Sequence, residues 1–390
     1  MSRAGPAASG PAGAGDPARR ARARDLGLAP GTLPAGPVNA ITDVPGIRVG
    51  QVTLIEGTDI RTGVTAIVHD TLLGRGPGAH RTLPAGLAVF NGFGKMTGST
   101  QIAELGCIET PVLLTATLSV FRVADALLSY LHQLPAYSGT GTLNPVVAET
   151  NDSYLSDIWA RPVTAGHVAQ ALDSAAAGPV GEGCAGAGTG TSALGFKAGI
   201  GTSSRRLDQA AGQVTLGVLV QANFGGKLTV LGVPVPRPPG QTAASGLLPG
   251  LAPEAAPGRA VSGGEPGSGS CVIVLATDAA LGSRQLQRLA SRAFAGMART
   301  GSDFSGRSGD YALAVSTATG PSAATADGHV PEKDLDLLFQ AAIEATEEAI
   351  LNSLFMAQTT TGYLGHVRQA VPLDYVSELV RNRSARRNGW

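Results

Sequence analysis

An apolar run at residues 271–276 dictates much of the architecture of this chain, because its β-branched residues follow one another without a polar interruption. Such a continuous run is typical of a strand that is buried on both faces, whereas a half-exposed strand alternates. The chain has 390 residues, which is enough to build a large core in one or two domains. The sequence therefore predicts a layered fold with this strand inside it.

The bond between Gly269 and Ser270 joins that strand to residues 234–269, a segment rich in proline, glycine, alanine and serine. This composition buries too little apolar surface to order itself, so we expect a flexible linker. If the Ser270 hydroxyl attacks the Gly269 carbonyl, the peptide becomes an ester that water can split. The freed α-amine, with a reference pKa of roughly 7.7–8.0, could then take the proton of its own hydroxyl. The ordinary alternative is that Ser270 is a turn residue.

Charge and cysteine content exclude several classes of function. The chain has 29 basic and 29 acidic residues, so its net charge of zero predicts no nucleic-acid or membrane partner. Cys107, Cys184 and Cys271 are scattered and odd in number, which predicts neither disulfides nor a zinc site and favours the cytoplasm. The histidines never fall at metal-ligand spacing, so we expect no metal. These features point to a small-molecule substrate.

Residues 1–24 consist mainly of alanine, glycine, proline and arginine, and no apolar stretch follows them. We therefore expect a disordered tail rather than a signal peptide or a membrane span. The prediction places one folded domain in residues 25–390.

Strand and helix patterns alternate irregularly along the rest of the chain, which predicts an α+β fold made of layers. Apolar residues at helical spacing predict a helix near 286–297, capped by Ser283, and a longer one over 335–350. In the longer helix we expect Glu344, Glu347 and Glu348 to face solvent. Further strands are predicted at 47–55, 65–69, 86–90, 111–115, 215–222 and 311–317.

Four polar side chains at strand ends are candidates for chemistry beside Ser270. Ser308 and Asp310 precede a predicted strand, and Asn223 ends another, where its amide could donate to an oxyanion. Glu149 directly follows apolar residues and could bind a substrate ammonium group. Each of these residues can also be read as an ordinary turn or loop residue.

A glycine pattern of the GxGxxG type occupies residues 181–186, but a short helix rather than a strand is predicted before it. A dinucleotide fingerprint requires a strand at that place. We therefore interpret the segment as a glycine-rich turn.

Taken together, residues 24–365 resemble the self-processing aminopeptidases of peptidase family S58, which include L-aminopeptidase/D-amidase-esterases and β-peptidyl aminopeptidases. The matching segments are 39–50, 61–65, 91–94, 97–98 with 109–111, 149–152, 188–190 with 195–197, 201–205, 269–270 with 276–278, and 308–310. The resemblance implies a four-layer αββα sandwich, similar to N-terminal-nucleophile hydrolases but differently connected. It also implies cleavage into chains 25–269 and 270–390 that stay together, and a homo-oligomer, often a tetramer of processed units.

By position, the resemblance makes Ser270 the nucleophile, Ser308 and Asp310 its supporting pair, Asn223 an oxyanion donor and Glu149 the acid that holds the substrate amine. The implied activity is hydrolysis of N-terminal residues from small peptides, amides or esters through an acyl-enzyme, without a cofactor.

Two positions depart from the family pattern. Asp310 stands where some relatives have a glutamate, and Asn151 where some have a tyrosine, so a role for that phenol would be absent or would shift to Tyr154. Asn151 and Tyr154 are therefore counted among the substrate-binding candidates.

Two other functions remain open at this stage: an acyltransferase of the ornithine acetyltransferase kind, and a glycine-rich oligomeric binding protein without catalysis. The residues also leave open whether α-L, α-D or β-aminoacyl substrates are preferred. Nor do they decide whether the Ser270 amine or the pair Ser308 and Asp310 acts as base.

Overall fold

The computed structural model of the chain describes residues 20–75, 82–209, 212–236, 269–318 and 330–387. The strands are β1 (Ile47–Glu56), β2 (Ile60–His69), β3 (Leu83–Gly92), β4 (Cys107–Ile108), β5 (Val112–Ala116), β6 (Val146–Thr150), β7 (Ser192–Ala193), β8 (Phe196–Lys197), β9 (Ile200–Gln209), β10 (Gly212–Asn223), β11 (Thr229–Val230), β12 (Val233–Pro234), β13 (Ser270–Thr277), β14 (Gly309–Ser316), β15 (Thr360–Thr361) and β16 (Val367–Arg368). The α-helices are α1 (Ser99–Leu105), α2 (Val120–His132), α3 (Ala165–Asp173), α4 (Ser283–Arg299), α5 (Leu335–Phe355) and α6 (Leu373–Arg387). The strands and the two helices predicted from sequence are confirmed, although Gly282 rather than Ser283 caps α4.

The central strand β13 belongs to a six-stranded sheet with the order β4-β3-β14-β13-β10-β9. Every residue of β13 is buried. Val272 and Val274 face one apolar cluster, while Ile273 and Leu275 face another on the opposite side of the sheet. The prediction that this strand is covered on both faces is therefore confirmed.

A second, four-stranded sheet has the order β1-β2-β5-β6. One cluster of buried side chains, including Leu114 and Val274, fills the space between the two sheets. Helices α2 and α3 cover the outer face of the four-stranded sheet, and α4 and α5 cover the outer face of the six-stranded one. The four-layer αββα prediction is confirmed.

The glutamates of α5 were expected to face solvent, and this prediction is wrong. Glu344, Glu347 and Glu348 are at most 5 % exposed. Arg205 of β9 is fully buried beside them, with its Nη2 atom 2.9 Å from Glu348 and its Nε atom 3.3 Å from Glu344. Ion pairing makes the burial of these charges possible, which the helical periodicity of the sequence cannot reveal.

The predicted tail also needs a correction at its end. Residues 1–19 lie outside the described residues, as does most of the linker 234–269. Residues 20–24, however, contact the folded unit: Arg20 donates to the carbonyl of Val371, and the Arg24 Nε atom lies 2.8 Å from Glu348. Ala23 between them is fully buried.

Candidate active site

Ser270 opens β13 between two strands that contribute the neighbouring residues. Asn223 of β10 lies directly opposite on the antiparallel side, and Gly309 of β14 on the parallel side. Residues directly opposite each other point to the same face of a sheet, so the Asn223 and Ser270 side chains are neighbours. Ser270 shares its face with Val272, and its side chain therefore points between the two sheets.

The carbonyl that precedes Ser270 is held by a backbone donor. The Gly309 N–H group donates to the Gly269 oxygen at 3.1 Å. A side chain at Gly269 would not fit, because its Cβ atom would lie 2.4 Å from the Phe224 Cα atom. Glycine thus allows this carbonyl to lie against β10 and to be polarised by the Gly309 donor.

Ser308 and Asp310 form a buried pair with Asn91. The Ser308 hydroxyl donates to Asp310 Oδ1 at 2.6 Å, and Asn91 Nδ2 donates to Asp310 Oδ2 at 2.8 Å. Burial raises the pKa of Asp310, while these two hydrogen bonds and one from the Cys271 backbone act in the opposite direction. By strand alternation Asp310 shares the face of Cys271 and not that of the Ser270 hydroxyl. Asp310 therefore faces the backbone of Cys271, which donates a hydrogen bond to it.

The orientation of the Asn223 amide is fixed by two hydrogen bonds. Its Oδ1 atom accepts from the Ser192 N–H group at 3.0 Å, and its Nδ2 atom donates to the Asn151 carbonyl at 2.9 Å. A side-chain amide carries two N–H donors on this nitrogen. The second of these donors makes no hydrogen bond among the described residues, and Asn223 lies directly opposite Ser270 in the sheet.

Glu149, at the end of β6, is 2 % exposed. Its Oε1 atom accepts from the Lys95 N–H group at 3.0 Å, and the Lys95 ammonium lies 3.6 Å away. The Oε2 atom has no hydrogen-bond partner among the described residues. Burial raises the pKa of Glu149, and Lys95 together with the Thr117 side chain partly offsets this effect. An unmatched buried carboxylate oxygen of this kind is suited to a substrate ammonium group.

Gly94 connects Glu149 to Gly309. A Cβ atom added at Gly94 would lie 3.4 Å from Glu149 Oε1, and one added at Gly309 would lie 2.4 Å from the Gly94 Cα atom and 3.2 Å from Ser270 Oγ. The two glycine backbones pack directly on each other. This close approach brings the carboxylate of β6 to the nucleophile candidate of β13.

The two remaining candidates lie in the loop that follows β6. The Asn151 carbonyl contacts Asn223, as above, whereas its side chain accepts from the Ser153 N–H group. Tyr154 stacks on His366 with ring centroids 4.4 Å apart, and the Arg368 guanidinium carbon lies 3.5 Å from its ring centroid. The structure thus brings Asn151 to the oxyanion candidate and places Tyr154 against the β15–β16 hairpin.

Sequence reasoning missed three contributors: the Gly309 N–H group, Asn91 and Gly94. A backbone donor has no residue signature, and Asn91 and Gly94 belong to a segment that was recognised only as part of the family pattern. The signal that identifies Asn91 and Gly94 is their place at the end of a strand, Asn91 inside the end of β3 and Gly94 two residues after it.

The glycine pattern at 181–186 precedes a short turn and follows no strand, as expected.

Within the described ranges, no three His, Cys, Asp or Glu side chains are grouped as metal ligands would be. None of the helices in the part of the chain that the structure describes is both long and apolar enough to cross a bilayer.

Comparisons with known proteins agree with this geometry. The sequence model of Peptidase family S58 matches residues 39–368. A β-peptidyl aminopeptidase of Sphingosinicella microcystinivorans is 41% identical over 367 residues, which cover 90% of this chain and 89% of that protein.

Solved structures give the same result. The L-aminopeptidase D-Ala-esterase/amidase from Ochrobactrum anthropi, described as a variant of the Ntn hydrolase fold, matches with a TM-score of 0.79 and 36% identity. A Burkholderia sp. β-aminopeptidase matches with a TM-score of 0.77 and 36% identity. Each alignment covers 93% of this chain and 99% of the other. Neither the acyltransferase nor the binding-protein alternative is favoured by these matches.

Proposed function

Because the chain belongs to Peptidase family S58 and is a hydrolase of the aminopeptidase type, we propose that it cuts itself between Gly269 and Ser270 and then uses Ser270 as an N-terminal nucleophile. The observation that carries this proposal is the Gly309 N–H group 3.1 Å from the Gly269 oxygen, beside the Ser270 hydroxyl. A donor at this place stabilises the negative charge that develops on the oxygen during attack.

In the self-cleavage step, Ser270 Oγ attacks the carbonyl carbon of Gly269. The C–N bond breaks, the hydroxyl proton ends on the Ser270 nitrogen, and an ester joins the two parts. Water then hydrolyses the ester and releases the carboxylate of Gly269 and the α-amine of Ser270. The products are chains 25–269 and 270–390, and residues 1–24 stay attached to the first of them.

In the mature enzyme, the new α-amine of Ser270 acts as the base toward its own hydroxyl. Ser308 and Asp310 hold and orient this amine, a role supported by the pairing of Ser270 with Gly309, which lies between them in sequence, and by the hydrogen bond from the Cys271 backbone to Asp310. Once Gly269 has departed, the Gly309 N–H group can donate to the carbonyl oxygen of the substrate. The Asn223 amide is the second donor to this oxygen.

Catalysis then follows acyl transfer to water. Glu149 binds the substrate ammonium group, Ser270 Oγ attacks the carbonyl, and the leaving amine takes the proton from the α-amine. Water attacks the acyl-enzyme and releases the free amino acid. Asn151 holds Asn223 through its carbonyl, and Tyr154 packs against His366 and Arg368 beside this part of the site.

The substrates we propose are small peptides, amides and esters with a free N-terminal amine, including β-aminoacyl compounds. The names of the relatives support β-aminoacyl substrates. We further propose that processed units assemble into a tetramer, as the family resemblance implies.

The test is denaturing intact-mass analysis of the purified protein over time, together with Ser270→Ala and the control Ser291→Ala. Ser291 lies on α4, where its exposed hydroxyl donates to the Gln287 carbonyl of the same helix. We expect fragments that end at Gly269 and begin at Ser270 in the natural chain and in the control, and an intact Ser270→Ala chain. Hydrolysis of β-alanyl, L-alanyl and D-alanyl p-nitroanilides by the processed protein then ranks the substrate classes. A natural chain that stays uncut and inactive would refute the proposal.

A further inference from the structure

Arg368 lies next to the oxyanion side of the site, although no step of the mechanism uses it. Its Nε atom is 3.5 Å from the Ser192 hydroxyl, and the Ser192 N–H group holds Asn223 Oδ1 at 3.0 Å. The guanidinium carbon lies 3.5 Å from the centre of the Tyr154 ring. Arg368 is thus connected to the residue opposite Ser270 through one intervening serine.

The hairpin that carries Arg368 is held firmly against the loop after β6. The Tyr363 N–H group donates to the Leu155 carbonyl at 2.9 Å, and His366 Nδ1 lies 2.8 Å from the Tyr154 carbonyl. Stacking of Tyr154 on His366 adds to these contacts. The Arg368 guanidinium is held over the Tyr154 ring, and a guanidinium carries its N–H donors in one plane, which is the geometry that a carboxylate requires.

Opposite charges therefore lie on the two sides of the nucleophile candidate. Glu149 is linked to Gly309 by contacts of the Gly94 backbone with both residues. Arg368 is linked to Asn223 by contacts of Ser192 with both residues. Gly309 and Asn223 are the two sheet neighbours of Ser270. A small peptide with a free amine and a free carboxylate carries the complementary charges at its two ends.

We propose that Arg368 binds the carboxylate of the leaving residue and so makes the enzyme prefer substrates with a free C-terminus one residue beyond the scissile bond. In this proposal the amine lies on the Glu149 side of Ser270, and the leaving residue, which spans about 3.3–3.6 Å when extended, runs to the side of Asn223 and Ser192. This inference rests on the proposed function, because it assumes that Ser270 attacks and that Glu149 binds the amine.

The test compares one dipeptide with its C-terminal amide, so that only the charge of the leaving residue differs. Both are assayed with the processed natural enzyme, with Arg368→Gln, with Arg368→Lys and with the control Arg307→Gln. Arg307 is an exposed arginine next to Ser308, on the Gly309 side of the nucleophile. The measured quantity is the ratio of kcat/KM for dipeptide and amide, which does not depend on the fraction of active enzyme in a preparation.

We expect Arg368→Gln to lower this ratio by about tenfold or more, since a hydrogen bond to a charged group is lost on the dipeptide only. Arg368→Lys should give an intermediate ratio, and Arg307→Gln the natural one. An unchanged ratio in Arg368→Gln, or a drop in Arg307→Gln instead, overturns the assignment of Arg368. If the natural enzyme hydrolyses neither compound nor an aminoacyl p-nitroanilide, the proposed function itself has failed, which is a distinct result.

Discussion

Replacement of Glu348 by Gln removes a carboxylate that binds three side chains in the interior. Glu348 is fully buried and lies 2.8 Å from the Arg24 Nε atom, 2.9 Å from the Arg205 Nη2 atom and 2.6 Å from the Asn39 amide nitrogen. Arg205 is fully buried as well, and its other carboxylate contact, with Glu344, is longer at 3.3 Å. The substitution keeps the shape of the side chain but leaves the arginines with one negative charge fewer.

The expected cost follows from this burial. Removal of one partner of a buried ion pair typically destabilises a protein by about 3–5 kcal/mol, because the other charge stays away from water without compensation. The shift in melting temperature becomes smaller as a domain grows. For a large domain, each kcal/mol lost from the free energy of unfolding lowers the melting temperature by roughly 2 °C. We therefore expect Glu348→Gln to melt roughly 6–10 °C below its parent.

The assay is thermal unfolding followed by circular dichroism in the Ser270→Ala background, where the proposed self-cleavage is blocked. Glu332→Gln is the matched control, because Glu332 also contacts two arginines, Arg284 and Arg288, but its side chain is 48% exposed. Exposed ion pairs contribute little, so the control should melt close to its parent. If Glu348→Gln melts no lower than Glu332→Gln, the reasoning about the buried charges is refuted.

Two further predictions concern the site. Because burial raises the pKa of Glu149, the carboxylate gains a proton at a higher pH than an ordinary glutamate as the pH falls, and it then cannot bind a substrate ammonium group. Glu149→Gln should lower kcat/KM for aminoacyl p-nitroanilides by roughly 10–100-fold near neutral pH and remove this acid limb; an unchanged pH profile would contradict the assigned role. Gly309→Ala should slow self-cleavage at least about tenfold, because its Cβ atom would lie 2.4 Å from the Gly94 Cα atom and force the backbone donor away from Gly269. Gly306→Ala, whose Cβ atom meets nothing within 4 Å, is the control in a gel time course, and equal rates for both variants would exclude this explanation.

Local pattern was enough to predict the parts of the fold that depend on apolar periodicity. The unbroken run at 271–276 predicted a strand covered on both faces, and β13 is such a strand. The spacing of Leu286, Leu289 and Phe294 predicted α4, and these residues are buried in its core-facing side. The type and spacing of apolar residues determine which side of a helix or strand is buried. This burial can therefore be predicted without knowledge of the tertiary contacts.

Features that depend on distant partners could not be read in this way. Glu348 looks like a surface residue until Arg24 and Arg205, far away in sequence, are seen to neutralise it. The Gly309 N–H group is a backbone donor, and its role depends on the parallel pairing of β13 with β14. Arg368 is brought beside Ser192 only by the hairpin that packs on the loop after β6.

The arrangement of the sheet explains how a cut at Gly269 would leave the enzyme intact. Ser270, Ser308 and Asp310 would belong to one product, and Glu149 and Asn223 to the other. Strand β13 would still be paired along its whole length with β10, from Leu216 opposite Thr277 to Asn223 opposite Ser270. Helix α5 would still pack on β9 and hold Arg205 through Glu344 and Glu348. Separation of the products would break the centre of the six-stranded sheet and expose these buried charges, so the same contacts that fold the single chain would keep the two halves of the site together.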